Sequence, residues 1–433
     1  MAVTQPSSQD PAGQVIEPLG DRKPLNAGQW MVLVAAFLGW MFDGVEMGLF
    51  PIAVPPAIRD LLQLTDHKDP LVGQWMANLT ALFLLGAAAG GFVFGWMGDK
   101  IGRVRSMTIS ILAYSGFTGL CYFATAPWQL GVFRFLAALG MGGEWALGVA
   151  LVMECWPEKY RPILAGVIGA AANVGFLLIS LVGMVFAVTP ESWRWIMVAG
   201  AAPGILALFV ILFVPESKRW QQSVKKAAGV NPLREIFTPP LLKSTILAII
   251  FCSVALIGTW AAVSALLPAW ADQLAGKDMP KAKAIAQLWI SIGCIIGCLI
   301  GPLASNRIGR RGAYFALCVA SLLVTQWVFR FLNAYDTLFL VASFLAGLTA
   351  SSFYGLLPLY LPELYPTRVR ATGQGVSFNF GRVLAAVGAI FTGALIGIFG
   401  GIPQACAIIT LVYLVGMVVI WFAPETMGKP LPE

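Results

Sequence analysis

Five ionisable side chains stand well away from the ends of long apolar runs of this chain: Asp43 and Glu46 in the first, Arg134 and Glu144 in the fourth, Arg382 in the eleventh. A charge held in hydrocarbon costs several kcal/mol, so such groups mark a pathway or a binding site more often than a surface. Asp43 and Glu46 are three residues apart, which puts both carboxyls on one side of a helix. Neighbouring carboxylates resist ionising together, so one of them suits the carriage of a transferred proton. The alternative is a pair held neutral by an arginine. Arg134 is a candidate for that role, because at about 1.5 Å of rise per residue its depth is close to theirs. Glu144, nearer the middle of its run, is a second proton site, a substrate contact or a counter-charge for Arg134 or Arg382. The Arg382 guanidinium is a planar fork matched to a carboxylate. It is expected to bind an anionic substrate, unless it pairs with Glu144.

These residues need helices to hold them. A spanning helix takes about 20 apolar residues, and twelve runs qualify: 29–56, 73–97, 106–125, 128–153, 162–188, 193–214, 243–270, 283–305, 312–332, 337–361, 371–398 and 403–422. The longest break divides them into six and six. The expected plan is a tail at 1–28, a bundle at 29–214, an interdomain loop at 215–242, a second bundle at 243–422 and a tail at 423–433. The halves repeat each other. Glu154-x-x-Pro157-x-x-x-Arg161 returns as Glu363-x-x-Pro366-x-x-x-Arg370, and Pro215-Glu216-Ser217 returns as Pro424-Glu425-Thr426, both 209 residues on. Ile101-Gly102-Arg103 returns as Ile308-Gly309-Arg310, 207 residues on. A six-plus-six parallel repeat is transporter architecture and puts the substrate site between the halves near the midplane. The same shift carries Arg382 onto Asn173, so these two should face each other across a central cavity. Asn379, Gln287, Tyr354 and Trp260 are further candidates for its walls, as are Asn78 and Trp289. Singly, each suits interhelical packing as well.

Composition agrees. The chain is 58% hydrophobic and 11% charged, where a soluble domain carries about a quarter charged residues. The surface must therefore face a lipid bilayer. The net charge of +7 does not point to nucleic acid, because the basic residues lie in short loops. With the N-terminus inside, 19 of the 28 Lys and Arg fall in inner segments, five in outer ones, and Arg134, Arg194, Arg330 and Arg382 within spans. That bias puts both termini in the cytoplasm. The first 28 residues lack a signal-peptide pattern. His67, the single histidine, lies in an outer loop, which leaves pH dependence to carboxylates. The seven cysteines sit in or at the ends of apolar runs without metal-ligand spacing. No phosphate-binding Gly-Lys-Ser/Thr loop is present. No enzyme activity, cofactor, metal or disulfide is expected.

Gly98-Asp99-Lys100-Ile101-Gly102-Arg103, echoed by Ser305-Asn306-Arg307-Ile308-Gly309-Arg310-Arg311, resembles the signature loop of the major facilitator superfamily, and the resemblance spans about 30–429. It implies an all-α integral membrane protein of twelve transmembrane helices in two six-helix repeats. It also implies Asp99 near Ala371 and Arg103 against Glu154, a latch that closes the inner side in one state and breaks in the other. Arg161, Arg310, Glu363 and Arg370 belong to the same latch set. The second copy should be weaker, with Asn306 in place of Asp99. An acid on the first helix paired with an Arg on the fourth is similar to proton-coupled sugar porters and aromatic-acid symporters. Asp43-Gly44-x-Glu46, Gly142-Gly143-Glu144-Trp145 and Glu154-x-x-Pro157 resemble the aromatic-acid, sialate and carboxylate:proton symporters, with Glu46 where those end the motif in Asp.

The expected function is proton-coupled symport of a small organic anion (a monocarboxylate, an aromatic acid or sialic acid) by alternating access, in a monomer. The location is the plasma membrane, which is the inner membrane in a bacterium. Sodium stays open as the coupling ion, since carboxylates serve both. The alternatives are a proton-coupled carrier of a neutral solute such as a sugar, and a non-transporting sensor, against which the short tails speak. A drug:proton antiporter is disfavoured because a cation site would not welcome Arg382.

Overall fold

Without water at hand, every backbone N–H and C=O must be bonded within the chain, and a helix achieves this segment by segment. The computed structural model describes residues 25–66, 69–186, 188–226, 231–276, 279 and 281–433, and its elements among these residues are all helical. Most of the expected N-terminal tail (1–24), His67, Lys68 and Lys277 lie outside the described residues.

The first six spans are α1 (Ala27–Leu61), α2 (Pro70–Ile101), α3 (Arg103–Leu120), α4 (Pro127–Cys155), α5 (Arg161–Val185) and α6 (Trp193–Phe213). Then come α7 (Leu242–Ala275), α8 and α9 (282–308 and 310–331), α10 (Thr337–Leu364), α11 (Arg370–Phe399) and α12 (Ile402–Phe422). Nine helices among the described residues are long and apolar enough to span a membrane. The stretch Ala282–Phe331 is one of them but turns at Gly309 (φ 83°, ψ 166°), so it supplies two spans. With α3 and α11 the set of twelve is complete.

Helix ends follow local chemistry. Asn26 accepts from the Gln29 N–H at 2.9 Å while the Gln29 side chain accepts from the Asn26 N–H at 3.0 Å, a reciprocal cap that starts α1. The same helix runs through Pro51, Pro55 and Pro56 to Leu61, beyond its expected end at 56. Spanning helices tolerate proline because neighbours satisfy the freed carbonyls. The Pro-Glu-Ser/Thr repeat also finds its reason. Glu216 accepts from the Arg103 and Val104 amides at 3.1 Å each, and Glu425 from the Arg310 and Arg311 amides at 3.0 and 3.1 Å. Each carboxylate caps the exposed amides at the start of α3 or α9. Gly102 (φ 110°) and Gly309 (φ 83°) stand just before, in a region that favours glycine. A Cβ on Gly309 would meet the Glu425 carboxylate at 2.8 Å.

Four spans are irregular where a smooth helix was expected. α4 breaks between Pro127–Met141 and Glu144–Cys155. α7 widens into a π-helix over Ile257–Leu266. α6 parts between Trp193–Ala199 and Gly204–Phe213, ahead of which stands Pro203. α12 parts between Ile402–Ile409 and Val412–Val419. The first two irregularities lie beside the central site.

Candidate substrate and coupling site

The two acids of α1 part company. Glu46 forms an ion pair with Arg134 and accepts from the Thr118 hydroxyl at 2.9 Å. The Arg134 guanidinium lies 5.1 Å from the ring centres of both Phe50 and Phe83, so its charge is held by a carboxylate and two π-faces in a dry setting. Asp43 is not paired with Arg134. Its carboxyl instead has the carboxyl of Glu144 and the guanidinium of Arg382 as charged neighbours. All four oxygens of Asp43 and Glu144 are buried without an N–H or O–H donor among the described residues. Two carboxyl groups can bond to each other only when one carries a proton. Two carboxyls buried this close together resist being charged at the same time.

Local sequence puts Glu144 there. Gly142 and Gly143 interrupt α4, and Glu144 is the first residue of the helical segment that follows, where the positive end of a helix favours a carboxylate. Gly39 on α1 leaves the room: a Cβ there would come within 2.9 Å of the Glu144 carboxyl carbon.

Arg382 projects from α11, 3% exposed, with Nη1 donating to Asn379 Oδ1 at 2.6 Å and its guanidinium 5.6 Å from the Phe378 ring centre. The salt bridge with Glu144 that could have explained it is not formed; among the described residues Arg382 makes no ion pair within 4.0 Å. Instead it lines a cavity of about 40 Å3 together with Trp40 and Met47 of α1, Asn173 and Phe176 of α5, Trp260 and Ser264 of α7, Ser351 and Tyr354 of α10, and Phe378. Both halves thus contribute walls. A space of that size holds roughly three waters, so an organic ligand enters only as the walls part. Trp260 and Ser264 lie on the π-helical segment of α7, and such segments are frequent at functional sites.

Of the expected wall residues, Arg382, Asn173, Tyr354 and Trp260 reach the cavity and Asn379 and Gln287 do not. Asn379 is fully buried, its amide shared between Arg382 and two carbonyls. Gln287 points along its own helix to Ser291 Oγ at 3.2 Å. Asn78 is exposed, and Trp289 packs edge-on against Phe344. The sequence reading missed Phe378, which stacks on Trp145 across the halves with ring centres 3.9 Å apart. An aromatic in an aromatic-rich chain carries no signal of its own.

At the basic end of the bundle the two halves are tied together. Asp99 accepts from the Ala371 and Thr372 amides at 3.2 and 2.8 Å and from the Thr372 hydroxyl at 2.6 Å. Arg103 donates to Asp99 at 2.8 Å, to Glu154 at 3.0 Å and to the Thr367 carbonyl at 2.7 Å. Arg370 reaches Glu154 from the other half at 2.9 Å. Further in, Asn379 donates to the Gly142 carbonyl at 2.9 Å and Asn173 to Cys298 Sγ at 3.6 Å. The remaining members of the expected latch set do not bridge the halves. Arg161 pairs with Glu158 in its own turn, and Arg310 holds Glu363 through two bonds of 3.0 and 2.8 Å within the second half. Asn306, the counterpart of Asp99, is exposed.

A twelve-helix bundle with a central cavity between two repeated halves is the form of a membrane carrier. Residues 29–334 match the model of the Major Facilitator Superfamily and 257–426 that of the sugar (and other) transporters. The chain belongs to the major facilitator superfamily, a family of membrane transporters. It is 27% identical over 380 residues to the sialic acid transporter NanX of Escherichia coli, covering 87% of this chain and 90% of that protein. With the cis,cis-muconate transport protein of Acinetobacter baylyi it shares 25% over 412 residues, covering 91% and 96%. The solved structure of the proton:xylose symporter XylE superposes with a TM-score of 0.73 at 16% identity, over 93% of this chain and 97% of that one, a likeness of fold.

Proposed function

We propose that this protein is a secondary transporter that carries a small organic anion together with a proton by alternating access. The observation that carries the reading is a guanidinium, Arg382, that lines the central cavity without an ion pair, beside the unpaired carboxyls of Asp43 and Glu144. An anion would neutralise Arg382, and a proton would settle the carboxyl pair. With both bound, the site closes at lower electrostatic cost. Asp43 and Glu144 are the proton carriers, and Glu46 with Arg134 holds α1 against α4. Asp99, Arg103, Glu154 and Arg370 form the latch, on the cytoplasmic side, where the Lys and Arg bias also places both termini. The halves 29–214 and 243–422 rock about the site. Relatives that carry sialic acid and cis,cis-muconate support an organic acid as the substrate.

The test is flux in proteoliposomes, with benzoate, sialate and lactate offered under an inward proton gradient, with and without sodium. Proton-driven uptake of one acid, lost in Arg382→Ala, is the expected outcome. The match of 257–426 to the sugar (and other) transporters favours a second reading, a carrier of a neutral solute. If the acids fail and xylose moves, that reading replaces the first and Arg382 is structural.

A further inference from the structure

The substrate arginine and the proton site are joined by one amide. Asn379 accepts from Arg382 Nη1 at 2.6 Å, and its Nδ2 donates to the Gly142 carbonyl across the halves and to Gly375 within α11, 2.9 Å each. Gly142 lies at the break in α4, two residues before Glu144. Asn379 is fully buried, and the space it occupies is kept clear by Gly91 of α2: a Cβ there would meet Asn379 Cγ at 2.5 Å and Cβ at 2.7 Å. Two of its three hydrogen bonds thus link an anion-binding group to the backbone that carries a proton-binding one.

We propose that Asn379 is the coupling residue, a positioning residue through which occupation of Arg382 decides whether the halves can separate. This rests on the symport reading above. An anion on Arg382 competes with Asn379 for the guanidinium. Drawing Nη1 away turns the Asn379 amide and weakens its bond to Gly142, which ties α11 to α4. Without the anion the tie holds and the protonated pair cannot cross. Removing Asn379 removes the condition, so the empty carrier cycles and protons pass alone.

The proton arm of the test needs no substrate. Proteoliposomes of wild type, Asn379→Ala and Gly91→Ala are loaded with a pH dye and given an inside-negative potassium diffusion potential, with no organic acid present. Wild type should admit protons no faster than empty liposomes. Asn379→Ala should exceed it by about fivefold, the factor one hydrogen bond is worth, while retaining measurable exchange of labelled benzoate. Gly91→Ala keeps the asparagine but crowds it off Gly142, and should leak in the same way. Variants as tight as wild type would overturn the inference, as would Asn379→Ala losing proton entry and benzoate exchange together. Wild type that moves none of the acids fails the symport reading instead, which the wild-type arm alone reveals.

Discussion

Asp43 and Glu46 stand on the same helix three residues apart, yet one meets a carboxyl and the other a guanidinium. Rise per residue gives depth, and depth was readable from the sequence; it made Arg134 a partner for either acid. Three residues also turn a helix by about 60° short of a full circle, and that azimuth sent Asp43 toward Glu144 and Glu46 toward Arg134. The difference separates their variants. Glu46→Gln strands Arg134 among Phe50 and Phe83 and should cost about 3–5 kcal/mol, the usual penalty for an orphaned buried charge, read as a lower melting temperature in detergent. Asp43→Asn removes one of two carboxyls and gives the survivor an amide donor. It should melt near wild type and still exchange substrate while losing proton-driven accumulation. Equal melting temperatures for the two variants would show that the Glu46–Arg134 pair does not hold the fold.

At the level of elements, the spans and their repeat were legible because apolar length and a fixed offset survive in sequence. The break in α4 and the π-segment of α7 were not. Gly142-Gly143 sits among other glycine-rich helical stretches such as Gly90-Gly91, which stays helical in α2. No residue type in Ile257–Leu266 marks a change of helical pitch. The repeated Pro-Glu-Ser/Thr was visible, but its partners are amides more than a hundred residues away. The two caps should answer pH differently. Burial pushes the Glu216 carboxyl above its ordinary 4.5, with the Ser217, Val104 and Arg103 amides offsetting only in part. In Glu425 burial is outweighed by four backbone donors, Arg310, Arg311, Met427 and Thr426, and the carboxyl falls below 4.5. A lowered carboxyl stabilises the fold above its ordinary value and loses that effect as pH falls through the lowered one. A raised carboxyl burdens the fold above the raised value and is relieved below it. Glu425→Gln should therefore melt below wild type at neutral pH, the gap closing only in acid below about 4.5. Glu216→Gln should melt at or above wild type at neutral pH, its gap closing at a higher pH. Parallel melting curves would refute the asymmetry.

For the whole molecule, the halves meet through charged residues at the basic end and through uncharged contacts further in. The resemblance of the 98–103 loop supplied the neighbours of Asp99 and Arg103. It could not supply the asymmetry by which only Arg370, not Arg161, crosses between halves. If this latch holds the closed state, weakening it exposes what the halves cover. Cys298 is fully buried at the crossing of α8 with α5 and α10, with Asn173 donating to it and its thiol bonded to the Ser351 carbonyl at 3.2 Å. Arg370→Ala should speed alkylation of Cys298 by maleimide about tenfold, the factor for 1.4 kcal/mol. Mass spectrometry of the modified peptide, with Cys298→Ser as the blank, reads it. An unchanged rate would mean that the Glu154–Arg370 bridge does not hold the halves together.

The caps on α3 and α9 also set an order of assembly. The amides of Arg103 and Val104 have only water to receive them until Glu216, 113 and 112 residues later, has left the ribosome, and those of Arg310 and Arg311 wait likewise for Glu425. Each half is closed by the last piece of itself to be made. A nascent chain from which Glu216 has emerged can therefore finish its first half before the second is complete, whereas one that still holds it inside the ribosome leaves that helix start uncapped.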